Sequence, residues 1–520
     1  MSRKWVGGSM SAVLLGTLLA GCGGGNDNND AKEPAASPSA SASAPAPSQS
    51  ESAAPEAGEK IKIEALKVGW GTKMPADDFV KKNLDEKLNI DLELTLPGNT
   101  DEVKNQLSTR IAASDPPDIM ELVDRNHLLQ LANMGALLDL TPYLNDLPNV
   151  KQLATEEGLK KGVVNGKTYA LAKAPTLLTQ SYWIRKDWLT NLNLPMPTTF
   201  DELLEVAKAF AEKDPDGNGK KDTLGMTAQE WLAFNPIFGS YGVGSSYKDI
   251  YIKDGQAISA VYDPAYRDAL ASVKKLLDAG VVDPELFSNK GAVPRDKAIT
   301  GQAGIIYTDF ELFRDEHAAS IKAANPNAEW AIVPSLTGPG GQFESSYDLG
   351  GSSGFVALPK SLDKDPDKVK RILQLLDHVS HDEGLRLVEY GLEGTHFTLK
   401  DGKAEVTDKI TESSYSWVYQ LMGRPEKEYL STKFPKQAPQ IQEAAAKPRL
   451  NVYNGFIDPP ATVNLADAQR FMNDELLKFA FGKSPMSEYD KFLSTLDTTY
   501  GYKQYIEEAN KQLKALGFLN

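Results

Sequence analysis

From about residue 60 onward, short apolar runs suited to strands alternate with amphipathic runs suited to helices. LKVGW reads as a strand ending at Trp70, and DDFVKKNLDEKL as a helix. IDLELTL reads as a second strand. VKNQLSTRIAA places Val103, Leu107, Arg110 and Ile111 near helical spacing. PPDIMELV has the continuous apolar character of a short buried strand after two prolines. Such alternation implies an α/β fold with a largely parallel sheet. No internal repeat interrupts it. A chain of 520 residues is long enough for about three domains or two large lobes.

The amino-terminal part is a different material. Arg3 and Lys4 precede an uncharged, mostly apolar stretch from Trp5 to Ala20, as in a secretory signal. The stretch is short and glycine-containing for a spanning helix. It ends in Leu19-Ala20-Gly21-Cys22, and Cys22 is the single cysteine of the chain. Intrachain disulfides, cysteine zinc clusters and iron–sulfur sites are therefore excluded. From Gly23 to Glu59 no aliphatic or aromatic side chain is larger than alanine, prolines aside. Such a segment cannot bury enough apolar surface to offset the entropy of ordering, so it reads as a tether. A flexible chain of that length spans on the order of 35 Å root-mean-square. The formal net charge of −15 argues against nucleic acid as a partner, since phosphate is bound by Lys and Arg.

Leu-Ala-Gly-Cys resembles the bacterial lipobox. The resemblance implies a signal peptide over 1–21, cleavage before Cys22, and acyl chains (palmitate among them) on a lipidated cysteine that begins the 22–59 tether. More than one acyl chain anchors stably to a membrane. The expected location is therefore extracytoplasmic, on the cell membrane.

Residues 60–520 resemble the sugar-binding lipoprotein subgroup of the extracellular solute-binding proteins of bacterial ABC importers. The likeness is carried by SDPPDIMELVDRNHLLQLANMGALLDLTPYL, with its Pro-Asp-Ile strand and Asp-Arg pair. It continues in VVNGKTYALAKAPTLLTQSYWIRKDWL, in GQAGIIYTDFELF and in GGSSGFVALPKSLDKDPDKVKRILQLL, and ends in YGLEGTHFT and the carboxyl-terminal helices. It implies a two-lobed α/β fold of the type II periplasmic-binding-protein kind, with interlobe crossover strands and a ligand cleft that closes by hinge motion. The implied lobes are about 60–178 plus 355–400, and about 179–354 plus 401–520. The implied partners are an oligosaccharide and an ABC permease in the membrane, with the protein itself a monomer.

Sugars stack their C–H faces on flat rings and hydrogen-bond their hydroxyls to planar polar groups. The candidates are therefore aromatic residues beside polar ones. Trp70 ends the first strand, where α/β proteins bind ligands. Asp124 and Arg125 match the Asp-Arg pair that the maltose-binding group uses on sugar hydroxyls. Tyr182 and Trp183 lie at the first crossover, and Trp231 and Tyr241 in EWLAFNPIFGSYG. Tyr307, Asp309 and Phe310 form the second-lobe turn. Tyr347 precedes the return crossover, and Trp417 follows the YGLEGTHF segment.

Asp214-Pro215-Asp216-Gly217-Asn218-Gly219-Lys220-Lys221-Asp222 has side-chain oxygens at positions 1, 3, 5 and 9 of a calcium loop. Gly219 stands at position 6 and the Lys220 carbonyl is available at position 7. Position 12 is Gly225, so the bidentate glutamate is missing. A structural calcium ion of weak, extracellular-range affinity is expected on Asp214, Asp216, Asn218, Lys220 and Asp222. No organic cofactor is expected.

Gly350-Gly351-Ser352-Ser353-Gly354 matches a nucleophile elbow in letters only, because FVALP after it is strand-like rather than helical. His378 and His381 supply two nitrogens and no third zinc ligand. No catalytic residue is identified, and the expectation is a binding protein that is not an enzyme. The alternatives are a secreted lipoprotein enzyme acting on polysaccharide, or a binder of peptide or another polar solute on the same fold.

Overall fold

The computed structural model describes residues 59–520. The signal peptide, Cys22 and the tether up to residue 58 lie outside the described residues. Among the described residues, no helix is long and apolar enough to cross a membrane.

The described chain forms two α/β lobes. The first is built on a five-stranded sheet in the order Ile90–Thr95, Ile61–Leu66, Ile119–Leu122, Phe355–Ala357, Leu171–Ala172. Ile61–Leu66 pairs in parallel with Ile90–Thr95 on one side and with Ile119–Leu122 on the other. Phe355–Ala357 joins antiparallel, Phe355 opposite Leu122. Strand alternation sorts the side chains. Ile63 and Ala65 face one core with Val80, Leu84 and Leu376, while Leu66 and Val68 face another with Val103, Leu107 and Leu128. The helices start where capping side chains allow. Asp78 accepts from the Lys81 amide at 2.9 Å to open Phe79–Leu88, and Asn99 accepts from Glu102 at 2.9 Å to open Thr100–Ala112.

The second lobe carries a four-stranded sheet in the order Trp330–Ile332, Ser181–Arg185, Ala303–Thr308, Leu224–Thr227. Ser181–Arg185 is antiparallel to both neighbours, and Ala303–Thr308 is parallel to Leu224–Thr227. Its large core includes Trp188, Phe210, Phe234, Phe238 and Tyr266, together with the carboxyl-terminal helices from Leu465 to Ala515. A Thr199–Glu202 capping box opens the helix Phe200–Glu212.

The chain passes between the lobes three times: between Ala172 and Ser181, between Asp348 and Phe355, and between Lys433 and Ala438. The last crossing lies well past the expected boundary near residue 400. Tyr415, Val418, Tyr419 and Met422 are buried in the first-lobe core. Tyr429 on the next helix packs with Tyr390 and Phe397 of that lobe. Ala444, by contrast, is buried with Trp183 and Ile306 of the second. The expectation failed because a run of short turns carries no period that tells which lobe it covers.

Candidate functional site

The first-lobe strand order reverses direction at Ile61–Leu66, whose two parallel neighbours lie on opposite sides. Ligands of open α/β sheets bind outside the carboxyl ends of strands at such a point. A cavity of about 940 Å³ lies there between the lobes. Lys67, Val68 and Trp70 reach it from the end of the first strand, and Glu121 and Val123 from the end of the third. Asp309, Phe310, Glu311 and Arg314 line it from the second lobe, after the strand Ala303–Thr308. Trp417, Gln420, Arg424, Tyr429 and Lys433 complete the first-lobe wall. A second cavity of about 630 Å³ shares Leu177, Arg424 and Glu426 with it and includes Tyr347, Lys447 and Arg449.

Trp70 is the most exposed tryptophan of this wall, at 61%. It sits in a tight turn in which the Thr72 amide donates to the Gly69 carbonyl at 2.8 Å. Both central residues have positive φ, 47° at Trp70 and 73° at Gly71. Glycine adopts that region freely, whereas a tryptophan there is held against its own preference. The turn thus presents an indole face to the cleft at a conformational cost. Trp417 stands on the same wall, with the Lys67 Nζ 4.9 Å from its ring centre.

Polar groups surround the rings. Glu121 is buried, ion-paired with Lys173 and accepting from the Val68 amide at 2.7 Å. Against burial, which pushes it up, the Lys173 charge, the nearby Lys67 charge and these hydrogen bonds hold its carboxyl below the usual range. Arg424 lies over the Tyr429 ring at 3.7 Å, donates to Gln420 at 2.6 Å and pairs with Glu426 at 2.9 Å. Asp309 caps the turn Phe310–Phe313 by accepting from the Glu311 amide at 3.0 Å. Burial and the nearby Glu311 push the Asp309 carboxyl up.

Of the aromatic and polar candidates, Trp70, Asp309, Phe310 and Trp417 line the cleft. Tyr307 borders a small adjoining cavity with Asp309, and Tyr347 lines the second interlobe cavity. The others do other work. Tyr182 is buried, its hydroxyl donating to the Ala233 carbonyl. Trp183 is buried with its indole N–H on the Thr308 carbonyl at 3.0 Å. Both belong to a strand buried along its whole length between two antiparallel neighbours. Trp231 packs on Phe234 and Phe287 and donates to Asn473 at 2.9 Å, while the Tyr241 hydroxyl meets Ser272 at 2.7 Å. Asp124 caps the helix Arg125–Asn133 and pairs with Lys104 at 2.8 Å. Arg125 grips Asp458 of the second lobe with two hydrogen bonds at 3.0 and 2.8 Å. These two residues serve helix capping and lobe-to-lobe contact. Ser352 bonds within its own loop to Gly354, with no acid–base partner.

Sequence reasoning missed Lys67, Glu121, Lys173, Gln420 and Arg424. Glu121 sits at a strand end, a signal that was available, whereas Lys67 follows Ile61–Leu66 directly and reads as lying inside a strand when that strand is placed over LKVGW. Lys173, Gln420 and Arg424 lie in stretches whose only sequence mark is charge or polarity.

In the Asp214–Asp222 loop, Asp214 accepts from the Asn218 and Gly219 amides at 3.0 and 2.9 Å. The Asn218 side-chain amide donates to Asp216 at 2.8 Å and to Asp222 at 3.1 Å. Three carboxylates thus gather round Asn218, two on its side-chain amide and two on its backbone amide, with Asp216 shared. Among the described residues no three His, Cys, Asp or Glu groups converge closely enough to form a metal cluster by themselves. A calcium ion would here draw on amide and carbonyl oxygens as well, and the donor set of hard oxygens fits such an ion.

Three crossings between the lobes and a cleft at the strand ends define a two-lobed binding protein. The chain matches the bacterial extracellular solute-binding protein family model over residues 69–376, and it belongs to that family. It is similar to lipoprotein LipO of Bacillus subtilis (strain 168), 29% identical over 86% of this chain and 82% of the relative. It is also similar to the polygalacturonan/rhamnogalacturonan-binding protein YtcQ of the same organism, 26% identical over 99% of this chain and 100% of that one. In fold it resembles the Streptococcus pneumoniae ABC-transporter substrate-binding protein FusA, solved in complex with kestose. The TM-score is 0.66 at 17% identity, covering 88% of this chain and 99% of that one.

Proposed function

We propose that this protein is the lipid-anchored substrate-binding subunit of an ABC importer, capturing an oligosaccharide between its lobes and passing it unchanged to a membrane permease. The observation that carries the reading is the 940 Å³ interlobe cleft at the strand ends, with two tryptophans beside carboxylate, amide and guanidinium groups. Such a wall supplies both things a sugar needs, a flat apolar platform and planar hydrogen-bond partners. Membrane attachment through Cys22 and a monomeric state complete the proposal. The names of the relatives, one binding polygalacturonan and rhamnogalacturonan and one a fructooligosaccharide transporter protein, support a carbohydrate ligand. The test is a thermal-shift screen of the purified protein against neutral and acidic oligosaccharides and peptides. A ligand at 100 times its Kd stabilises by about 2.7 kcal/mol. A shift with a saccharide recovered intact supports the proposal. Recovery of cleaved saccharide, or a shift with peptides alone, overturns it.

The Asp214–Asp222 loop is proposed to hold a structural calcium ion that pins the segment between the helix Phe200–Glu212 and the strand Leu224–Thr227. Terbium luminescence and a fall in melting temperature on adding EDTA are expected. Absence of both would withdraw the ion.

A further inference from the structure

Lys67 is a buried cation of the cleft without a carboxylate partner of its own. It is 4% exposed and lines the cavity from the end of the first strand. Its one hydrogen bond among the described residues is a long one, 3.5 Å to the Trp417 carbonyl. Among the described residues no carboxylate lies within ion-pair distance of it. The buried carboxylate nearby, Glu121, is already taken by Lys173 and by the Val68 amide.

The rest of the first-lobe wall adds positive charge. Arg424 is balanced by Glu426, but its Nε is buried without a hydrogen-bond partner. Lys433 donates to the Tyr429 hydroxyl at 2.6 Å and pairs with no carboxylate. On this wall the cations are Lys67, Lys173, Arg424 and Lys433, and the carboxylates are Glu121 and Glu426. The facing second-lobe wall carries Asp309, Glu311 and Arg314. The cationic surplus is therefore local to the first-lobe wall, in a chain whose formal net charge is −15.

A buried cation whose nearest carboxylate is already paired elsewhere is costly, and removing it from water is repaid when an anion completes a pair of its own. A neutral hydroxyl can accept a hydrogen bond from an ammonium but supplies no charge. We propose that the cleft is built for an acidic oligosaccharide, with a ring carboxylate paired to Lys67 while the sugar faces lie on Trp70 and Trp417. This deepens the oligosaccharide-binding reading above and rests on it.

The charge environment supplies a second handle. Burial pushes the Lys67 ammonium down to about 7; Lys173 and Arg424 add to this and Glu121 opposes it. A bound carboxylate would restore the charged form. Acidic ligands should therefore carry a proton into the complex near neutral pH, and their affinity should fall as the pH rises from 6.5 to 8.5.

The experiment is calorimetric titration of the purified protein with oligogalacturonate, oligomannuronate and glucuronate-bearing xylooligosaccharides, each beside its methyl ester. The ester keeps the rings and removes the charge. At pH 6.5 and 0.1 M salt, at least one free acid is expected to bind tenfold or more tighter than its ester. Lys67→Met, which keeps the length of the side chain, should bring that ratio within about twofold. If the variant fails to fold, the fall of the acid-to-ester ratio with pH in the unaltered protein decides instead. Equal or tighter binding of esters, an acid preference retained in Lys67→Met, or a ratio independent of pH overturns the acidic assignment. Binding of neutral saccharides alone would overturn this assignment and leave the oligosaccharide reading standing. Binding of no saccharide would overturn both.

Discussion

Replacing Trp70 separates what the cleft does for the ligand from what the turn costs the fold. A tryptophan side chain offers on the order of 200 Å². With 61% of it exposed, about 120 Å² is open to a ligand. A sugar ring laid on one face would cover roughly half of that, and at about 25 cal/mol per Å² this amounts to about 1.5 kcal/mol, or about tenfold in Kd. Trp70→Ala and Trp70→Gly should each lose affinity by about that factor. Their stabilities should differ in an unusual direction. Alanine ordinarily stabilises a chain relative to glycine. At φ 47° alanine carries the same penalty as tryptophan, of about 1 kcal/mol, and glycine carries none. The glycine variant should therefore melt higher than the alanine variant, while the two bind alike. Calorimetric titration and differential scanning calorimetry read the two quantities on the same samples. An alanine variant as stable as the glycine variant would refute the strained turn. Affinity preserved in both would refute the stacking platform.

Three further outcomes are expected. Asp458→Asn removes the two-pronged partner of Arg125 across the lobes; at about 2 kcal/mol for hydrogen bonds to a charged group, it should raise the open population in an interlobe energy-transfer assay without changing which ligand is preferred. Glu389 is buried with one carboxylate oxygen lacking a hydrogen bond, and burial pushes its carboxyl up to about 8, with Arg424 and Arg386 opposing. Between the ordinary value near 4.3 and about 8 the unfolded chain has released a proton that the folded chain keeps, so stability should fall as pH rises through that window, and Glu389→Gln should flatten the melting-temperature profile from pH 5 to 8.5. Cys22→Ala should move the protein from the membrane to the soluble fraction, and retention on the membrane would refute the lipid anchor.

How far the sequence could be read depended on whether a feature was local. The strand Ile119–Leu122 and the helices Phe79–Leu88 and Thr100–Ala112 were legible because their periodicity lies within ten or so residues, whereas the first strand, expected over LKVGW, lies at Ile61–Leu66 and has ended before the Trp70 turn. Trp70 and Asp309 were legible as cleft-lining residues because each follows a strand, Trp70 in the turn after Ile61–Leu66 and Asp309 directly after Ala303–Thr308. Tyr182 and Trp183 were misplaced because their neighbours on both edges come from 303–308 and 330–332, pairing that no local pattern reveals. Trp231 finds its partner Asn473 across 242 residues. Arg125 carried the motif of a sugar ligand, yet its partner Asp458 lies 333 residues on, in the other lobe. Lys67 was hidden for the converse reason. Within LKVGW it reads as an ordinary strand lysine until the turns around Trp417 cover it.

The contacts that bridge the lobes bear on how capture becomes a signal to a permease. Arg125 meets Asp458, and the buried Lys161 meets Asp348 beside the second crossing. In both pairs the carboxylate keeps substantial exposure, 31% at Asp458 and 39% at Asp348. Water therefore screens them, and each is worth far less than a fully buried pair. Next to Asp348, Gly350 has φ 62° and would bring a Cβ to 2.8 Å from the Gly158 amide of the first lobe. This crossing can accept only glycine and rests directly on the facing backbone. The lobes are thus joined by a few contacts of about 1–2 kcal/mol each and a closely fitted connection. A micromolar ligand brings about 8 kcal/mol. These pairs form only with the lobes together, so the part of that energy that depends on touching both lobes adds to theirs in favouring closure. The cationic surplus lies on the first-lobe wall alone, so a charge pair with Lys67 would add affinity in the open and closed forms alike, and closure draws on the contacts that a ligand makes to the second lobe.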